Sequence, residues 1–200
     1  TTNKNGTFAP SVVVSDTSVA RWTVDGYGAQ LTNTPSFNMT GNASNRVVTL
    51  ELQSLNKITK FYAYSQNLVG NLNISQLTNV VDFRVYSNAL LTSITNPTSS
   101  QIFTFYYAYS CNLTGTLNLS TLSGLGGLVQ LNLNPLLTSI TNPTSSQIFS
   151  GYNASQCNLT GTLDMSTLTN LGGVFQVYTN PLLTSIINPT SSRVFTDYYA

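Results

Sequence analysis

The chain has 200 residues, of which 41% are hydrophobic, and this is enough for one elongated domain with a core of its own. Only 6% of the residues are charged, against about a quarter in ordinary soluble domains, and the 7 basic and 6 acidic residues come without any histidine. This composition excludes a charged footprint for nucleic acid or for an anionic membrane, and no apolar run approaches the ~18 residues of a membrane span.

Residues 1–46 lack the repeat that follows and are predicted to form an N-terminal β cap. The strands predicted in and after this region are short runs rich in β-branched and aromatic residues. They are Ser11–Ser15, Val19–Val24, Phe37–Met39 and Val47–Leu52. Trp22 lies in an apolar, alternating run, so we interpret it as the anchor of the cap's core rather than as a ligand-stacking residue.

Residues 47–200 are predicted to form a solenoid, because one stretch recurs at a fixed period. Asn134–Phe149 is matched by Asn88–Phe103 and by Asn180–Phe195, and the offsets 134 − 88 and 180 − 134 are both 46 residues. Each period contains two related halves, so the structural unit is one strand per 23 residues or so. The aligned inner positions of these strands are Ala63, Val85, Ala108, Leu131, Ala154, Val177 and Ala200.

The half-repeats resemble the leucine-rich repeat family, whose pattern is L-x-x-L-x-L-x-x-N/C-x-L. The stretches Val129-x-Leu131-x-x-Asn134 and Tyr152-x-Ala154-x-x-Cys157 carry this pattern, including the alternation of Asn and Cys. The resemblance covers roughly residues 50–200 and implies a parallel sheet whose concave face binds a partner. The alternative architecture is a parallel β-helix, which also stacks one coil on the next.

The return side of each coil is predicted to consist of short 3₁₀ or α turns and extended chain rather than full helices. Pro143 and Pro189 suit the first position of a helical turn, where a missing N–H costs nothing. Ser120 and Ser166 suit the cap of one turn. The glycine pairs that recur at the period, such as Gly126-Gly127 and Gly172-Gly173, are predicted to mark tight packing before a strand.

The asparagines that end the strands are predicted to satisfy backbone groups inside the coil. They are Asn88, Asn134 and Asn180. Cys111 and Cys157 occupy the same repeat position two units apart, so their Cα atoms should be ~9–10 Å apart. A disulfide needs less than ~7 Å. We therefore predict two free, buried thiols that replace asparagine.

The two ends of the chain suggest that it is processed or excerpted from something longer. Thr1 is not an initiator methionine, and Ala200 falls in the middle of a predicted strand. Repeat arrays need a polar terminal cap. We therefore expect further repeats, or a partner that assembles on the last coil, at the C-terminal end.

Residues suited to catalysis are scarce. The commonest general base is absent because there is no histidine. The carboxylates are scattered, and the sequence has neither a glycine-rich phosphate loop nor a metal-ligand cluster. We predict a protein that is not an enzyme and that uses no cofactor and no metal.

The candidate binding site is the outer face of the strand sheet, where residues flanking the buried positions point away from the core. Its predicted members are Tyr62, Tyr64, Arg84, Tyr86, Phe105, Tyr107, Tyr109, Gln130, Asn132 and Tyr178. Three of them, Tyr64, Tyr86 and Tyr109, should form a ladder spaced ~5 Å apart. Tyrosine stabilises sheets by cross-strand pairing, and it is also enriched in recognition surfaces. The ladder is therefore interpreted either as sheet packing or as a recognition strip.

The expected function is that of an extracellular or virion-surface recognition and adhesion module. It would bind a cell-surface glycan or protein receptor, without nucleic acid and without membrane insertion. The near-identical copies and the Asn/Thr/Ser composition resemble bacterial surface repeat proteins and phage host-attachment spikes. The alternative is a structural spacer or a self-assembling filament subunit.

Overall fold

The computed structural model describes residues 1–52, 57–98, 102–122, 124–143, 150–168, 173–189 and 195–199. These ranges contain 19 strands and no α-helix. Within them, no helix is long and apolar enough to cross a membrane.

The strands fall into an N-terminal group and an alternating series. The N-terminal group is β1 (Thr7–Phe8), β2 (Ser11–Val14), β3 (Arg21–Val24), β4 (Gly28–Leu31), β5 (Phe37–Asn38) and β6 (Val48–Glu51). The odd-numbered strands of the series are β7 (Ile58–Tyr62), β9 (Asp82–Arg84), β11 (Ile102–Tyr107), β13 (Gly124–Gln130), β15 (Gly151–Asn153), β17 (Gly173–Gln176) and β19 (Phe195–Tyr199). The even-numbered strands are β8 (Val69–Asn73), β10 (Leu90–Thr95), β12 (Thr114–Asn118), β14 (Leu136–Thr141), β16 (Thr160–Asp164) and β18 (Leu182–Ile187).

The main sheet contains the odd-numbered strands from β7 to β19, which pair in parallel and in chain order. The predicted repeat solenoid with one strand per 23 residues or so is therefore confirmed. The solenoid alone does not decide between families, so membership of the leucine-rich repeat family stays a prediction.

The inner face of the main sheet is the core of the solenoid. Its predicted positions are 0–6% exposed from the first coil to β17. They are Phe61, Ala63, Phe83, Val85, Tyr106, Ala108, Val129, Leu131, Tyr152, Ala154, Phe175 and Val177. The last pair of this series, Tyr198 and Ala200, lies outside the part of the chain whose side chains are described.

Two inward-facing tyrosines find hydrogen-bond partners on the return side. The Tyr106 hydroxyl donates to Oδ1 of Asn96 (3.1 Å), and the Tyr152 hydroxyl donates to Oδ1 of Asn142 (3.3 Å). Each asparagine belongs to the recurrent Asn-Pro step that follows a return strand. A buried hydroxyl without a partner would cost free energy. The asparagine of the Asn-Pro pair therefore stabilises the core in addition to its place in the turn.

The return side differs from the prediction of short 3₁₀ or α turns, because it contains six regular strands. They pair in parallel in three couples, β8 with β10, β12 with β14 and β16 with β18. Each couple has a bulge beside a glycine in the left-handed region, such as Gly115 at φ 63°. The bulge between Leu91 and Ser93 interrupts the alternation of the pleat, so that Leu91 and Ile94, three residues apart, both enter the core while Leu90 stays exposed.

The turns predicted at Ser120 and Ser166, after β12 and β16, form, but serine does not cap them. The Oδ1 atom of Asn118 accepts a hydrogen bond from the N–H of Ser120 (2.9 Å), and Asp164 does the same for Ser166 (2.8 Å). The acceptor is thus the last residue of the strand, as in an Asx turn. The helical turns predicted after Pro143 and Pro189 lie outside the described residues.

The glycine predicted to mark tight packing does so at β13. A Cβ atom on Gly127 would overlap the carbonyl oxygen of Thr104, and one on Gly173 would overlap that of Ser150. Gly172 lies outside the described ranges. Only glycine permits these strands to approach the preceding coil so closely.

A buried ladder of Asn and Cys side chains joins successive coils. Its members are Asn88, Cys111, Asn134, Cys157 and Asn180. Asn134 shows the pattern, since its Nδ2 donates to the carbonyl oxygen of Leu131 in its own coil (2.7 Å) and to that of Ala108 in the preceding coil (2.9 Å). Its Oδ1 accepts from the N–H of Leu113 (3.1 Å). The predicted role of these asparagines is confirmed.

The cysteines replace the asparagines as hydrogen-bond donors to backbone carbonyl groups. Both thiols are free and buried, as predicted. The Sγ atom of Cys111 approaches the carbonyl oxygens of Val85 (3.4 Å) and Tyr109 (3.5 Å). Burial raises the pKa of Cys111 and of Cys157 to about 11, so both thiols keep their proton at neutral pH.

The N-terminal region covers the first coil. Strand β2 adds to the main sheet in antiparallel orientation against β7, and β3 pairs with β4 and β6 in a separate sheet. Trp22 is 2% exposed and lies 6.5 Å from the Phe61 ring. The prediction that Trp22 anchors a core, here the one shared with the first coil, is confirmed.

We predict that Asn134→Ala lowers the free energy of unfolding by about 3 kcal/mol, because one buried N–H and two carbonyl groups lose their partner. Asn134→Cys retains a donor of the kind that Cys111 and Cys157 provide, so its loss should be about 1 kcal/mol. Urea unfolding of both variants measures the difference. Equal losses in the two variants would contradict the proposed equivalence.

Candidate functional site

Two rows of side chains run across the outer face of the main sheet, at right angles to the strands. The strand register places the first row in line, and it consists of Tyr62, Arg84, Tyr107, Gln130, Asn153, Gln176 and Tyr199. The second row lies two residues further along each strand and consists of Tyr64, Tyr86, Tyr109, Asn132, Ser155 and Tyr178. Its backbone groups continue the pairing, since the N–H of Ser65 donates to the carbonyl oxygen of Tyr86 (3.0 Å).

The tyrosine ladder, formed by Tyr64, Tyr86 and Tyr109, is present as predicted. The rings of Tyr64 and Tyr86 are 4.8 Å apart with an interplanar angle of 2°, and those of Tyr86 and Tyr109 are 4.6 Å apart at 4°. The rings therefore cover one another's faces and present their edges outward. Within the described part of the chain, none of the three hydroxyls has a hydrogen-bond partner.

Beside the ladder lies an arginine cluster, formed by Arg84 with Tyr62, Asp82, Phe105 and Tyr107. The guanidinium group of Arg84 binds Asp82 through two hydrogen bonds of 2.7 Å and 3.0 Å. The Tyr62 hydroxyl also donates to Asp82 (2.7 Å). The guanidinium carbon lies 5.2–5.4 Å from the centroids of the three aromatic rings, so the cation is held in one place by stacking and by its partner.

Asp82 was not among the predicted site residues, although it organises the cluster. It is only 5% exposed, and its position two residues before Arg84 puts it on the same face of the strand. The spacing of two residues between Asp82 and Arg84 therefore already indicated in the sequence that both side chains lie on the same face. It was missed because the carboxylates were considered for acid–base chemistry and not as partners of a surface arginine.

The pKa values of Tyr62, Tyr107 and Arg84 in the arginine cluster, and that of Tyr109 beside it, are raised above their ordinary values. Burial, with a further contribution from the hydrogen bond to Asp82, raises the pKa of Tyr62 to about 12. Burial also raises the pKa of Tyr107 and of Tyr109. The hydrogen bond to Asp82 raises the pKa of Arg84 further. The cluster thus contains one cation and one anion that neutralise each other.

The rest of the outer face is rich in amides. Gln130 and Asn132 continue the two rows beyond Tyr107 and Tyr109, and both are partly exposed. Further along, Nδ2 of Asn153 donates to Oε1 of Gln176 (2.8 Å). The structure therefore brings nine of the ten predicted residues into one continuous patch, in which Phe105 lies against Tyr107 with ring centroids 5.7 Å apart.

Tyr178 is the exception among the predicted site residues. Asn132 and Ser155 occupy the two positions between Tyr109 and Tyr178 in the second row, and Ser155 is fully buried. Tyr178 contacts Tyr199 instead, edge to face at 6.4 Å. It lies at the other end of the sheet and does not belong to the tyrosine ladder.

The described residues contain no group of three or more His, Cys, Asp or Glu side chains that could hold a metal ion. What the outer face offers is a set of fixed aromatic edges, hydroxyls and amides, together with one arginine held by an aspartate. These groups can form hydrogen bonds and van der Waals contacts with a partner.

We predict that Tyr62 titrates near pH 12 and that Asp82→Asn lowers its pKa, because the neighbouring negative charge opposes ionisation of the phenol. Because the pKa of Tyr62 is higher in the folded than in the unfolded chain, the protonated phenol stabilises the folded state. This contribution to the free energy of unfolding is complete below the ordinary pKa of 10 and is lost as the pH rises towards 12. The ring carbon resonances of labelled tyrosine, followed by NMR against pH, measure the shift. An unchanged Tyr62 pKa in Asp82→Asn would show that the aspartate has no part in it.

The outer face has to be understood from its own side chains, since comparison of the chain with protein-family models, with curated proteins and with solved structures finds no match.

Proposed function

We propose that the chain is a recognition module, of the leucine-rich repeat type that its sequence resembles, and that it binds a partner on a cell surface through the outer face of its main sheet. The observation that carries the proposal is the tyrosine ladder beside the arginine cluster. The proposed setting is extracellular or on a virion surface, as expected from a surface whose polarity comes from amides and hydroxyls.

The rigidity of the ladder supports a binding role. Association costs free energy when side chains must be ordered at an interface, about 0.5–1.5 kcal/mol for each flexible side chain. The rings of Tyr64, Tyr86 and Tyr109 are already held parallel by one another and by the strands beneath them. Most of that ordering cost is therefore met in the unbound protein.

The sheet-stabilising interpretation of the tyrosines does not account for the whole arrangement. Cross-strand stacking explains why the rings face one another. Cross-strand stacking does not explain why the three hydroxyls have no hydrogen-bond partner within the described residues. It also does not explain why the Arg84 guanidinium lies among three further rings. Arg and Tyr are the residue types in which binding energy is usually concentrated.

The alternative, a filament that grows by stacking the first coil of one molecule on the last coil of another, meets an obstacle at the N-terminal end. Strand β2 already pairs with the outer edge of β7. The N–H of Val12 on the far edge of β2 is bonded to the carbonyl oxygen of Asn33 (2.9 Å). Continuous parallel pairing from one molecule to the next would have to displace the cap.

The test is a binding screen of the chain against immobilised cell-surface glycans and intact cells, with the triple variant Tyr64→Ala, Tyr86→Ala, Tyr109→Ala. We expect the variant to bind at least about tenfold more weakly, because the ladder is at the centre of the proposed interface. Its melting temperature should fall by about 2–12 °C with the fold retained, since the two stacked ring pairs together contribute about 1–3 kcal/mol.

A matched control replaces three exposed leucines of the return side, Leu90, Leu136 and Leu182, by alanine. This control should bind like the unchanged chain. Equal binding by the ladder variant and the unchanged chain would overturn the proposal, and so would equal losses in the ladder variant and the leucine control. Absence of binding by every form would favour a spacer role.

A further inference from the structure

The chemistry that the tyrosine ladder presents is polar rather than apolar. Stacking at 4.8 Å and 4.6 Å with nearly parallel planes hides both faces of the Tyr86 ring and one face each of the Tyr64 and Tyr109 rings. A partner approaching Tyr86 therefore meets the edges and hydroxyls of the rings. Protein hot spots usually consist of a side chain inserted into a well-packed pocket, and the ladder offers no such ring for insertion and no pocket between its rings.

The positions next to the ladder continue this hydrogen-bonding character. Gln130 and Asn132 follow Tyr107 and Tyr109 in the two rows, and their side-chain amides have no hydrogen-bond partner within the described part of the chain. An amide group offers a donor and an acceptor side by side. Such pairs match the adjacent hydroxyls of a sugar ring, each of which can donate and accept.

The tyrosine ladder and the amide positions offer no charge to an anionic ligand. Arg84 uses two of its N–H groups on Asp82, whose carboxylate cancels the charge. The ladder and the two amide positions carry no charge. Lys60, at the first edge of the face, is a further cation and lies opposite Asp82 in the strand register.

The spacing of the rows suits an extended chain of sugars. In the second row, an accessible hydroxyl or amide group recurs in four successive coils, at Tyr64, Tyr86, Tyr109 and Asn132, and the ladder rings are 4.8 Å and 4.6 Å apart. Each pyranose unit adds about 5 Å to the length of an extended glycan, which is close to the ~4.8 Å spacing of strands. A chain lying across the strands would then meet one ladder position with each sugar.

We infer that the ligand of the outer face is an extended, uncharged glycan that lies across the strands. It is bound by the hydroxyls of Tyr64, Tyr86 and Tyr109 and by the amides of Gln130 and Asn132. This inference rests on the proposed recognition function and names the class of its ligand.

The experiment uses an array of immobilised oligosaccharides, both neutral ones of several linkages and lengths and sialylated or sulfated ones. The decisive variant is Tyr64→Phe, Tyr86→Phe, Tyr109→Phe, which keeps the stacked rings and removes only the hydroxyls. We expect binding to neutral oligosaccharides that strengthens with length up to several sugars, is insensitive to salt, and falls at least tenfold in this variant. The folded state of the variant is checked by its melting temperature, which should be unchanged.

Treatment of the cells from the binding screen separates this inference from the function on which it rests. Periodate oxidises sugar diols and should abolish capture of the cells, whereas protease should not. If cells are captured but protease alone abolishes capture, or if only sialylated or sulfated oligosaccharides bind, the uncharged glycan is excluded while the recognition function stands. If the phenylalanine variant binds neutral sugars as well as the unchanged chain, the hydroxyls are not the contact. If neither cells nor sugars bind, both the function and the inference fail.

Discussion

The structure depends on the way each coil satisfies the buried backbone of its neighbour. At the corner after each main-sheet strand from β9 to β17, the residue before the buried Asn or Cys adopts a left-handed conformation, with φ between 51° and 60°. This turns peptide groups into the interior, where water cannot reach them. The asparagine or cysteine that follows provides their partners in its own coil and in the preceding one. A corner without that side chain would leave orphaned groups costing about 1–3 kcal/mol each.

This constraint explains why the period is so strict. Because the side chain of Asn134 must reach both Leu131 and Ala108, one coil cannot slip by a residue relative to the next. A slip of one residue would also turn every inner side chain outward. Register is thus determined twice, by the hydrophobic core and by the buried polar ladder, and the outer positions of successive strands align without any requirement on their own identity.

The identity of the side chains on the outer face is not restricted by the core or by the corners. The core needs apolar residues at the inner positions, and the corners need Asn or Cys, but a row on the outer face can carry any side chain that tolerates a strand. Where three consecutive coils carry tyrosine, a stack forms, and where Asp82 and Arg84 alternate with aromatic residues, a neutral cluster forms. The surface therefore varies along the solenoid while the fold beneath it stays the same.

The sequence by itself determined the period, the inner residues, the free thiols, the role of the asparagines and the rows of the outer face. These follow from repetition and from a strand period of two, which are local regularities. Only the tertiary structure showed that the return side forms paired strands. The bulges and the pairing of return strands depend on contacts between residues about 23 positions apart. It also decided that Asp82 holds Arg84 among three rings, and that Tyr178 stands apart from the ladder. The placement of Arg84 among rings of neighbouring coils and the separation of Tyr178 depend on distances between side chains of different coils, which a pattern along one chain does not contain.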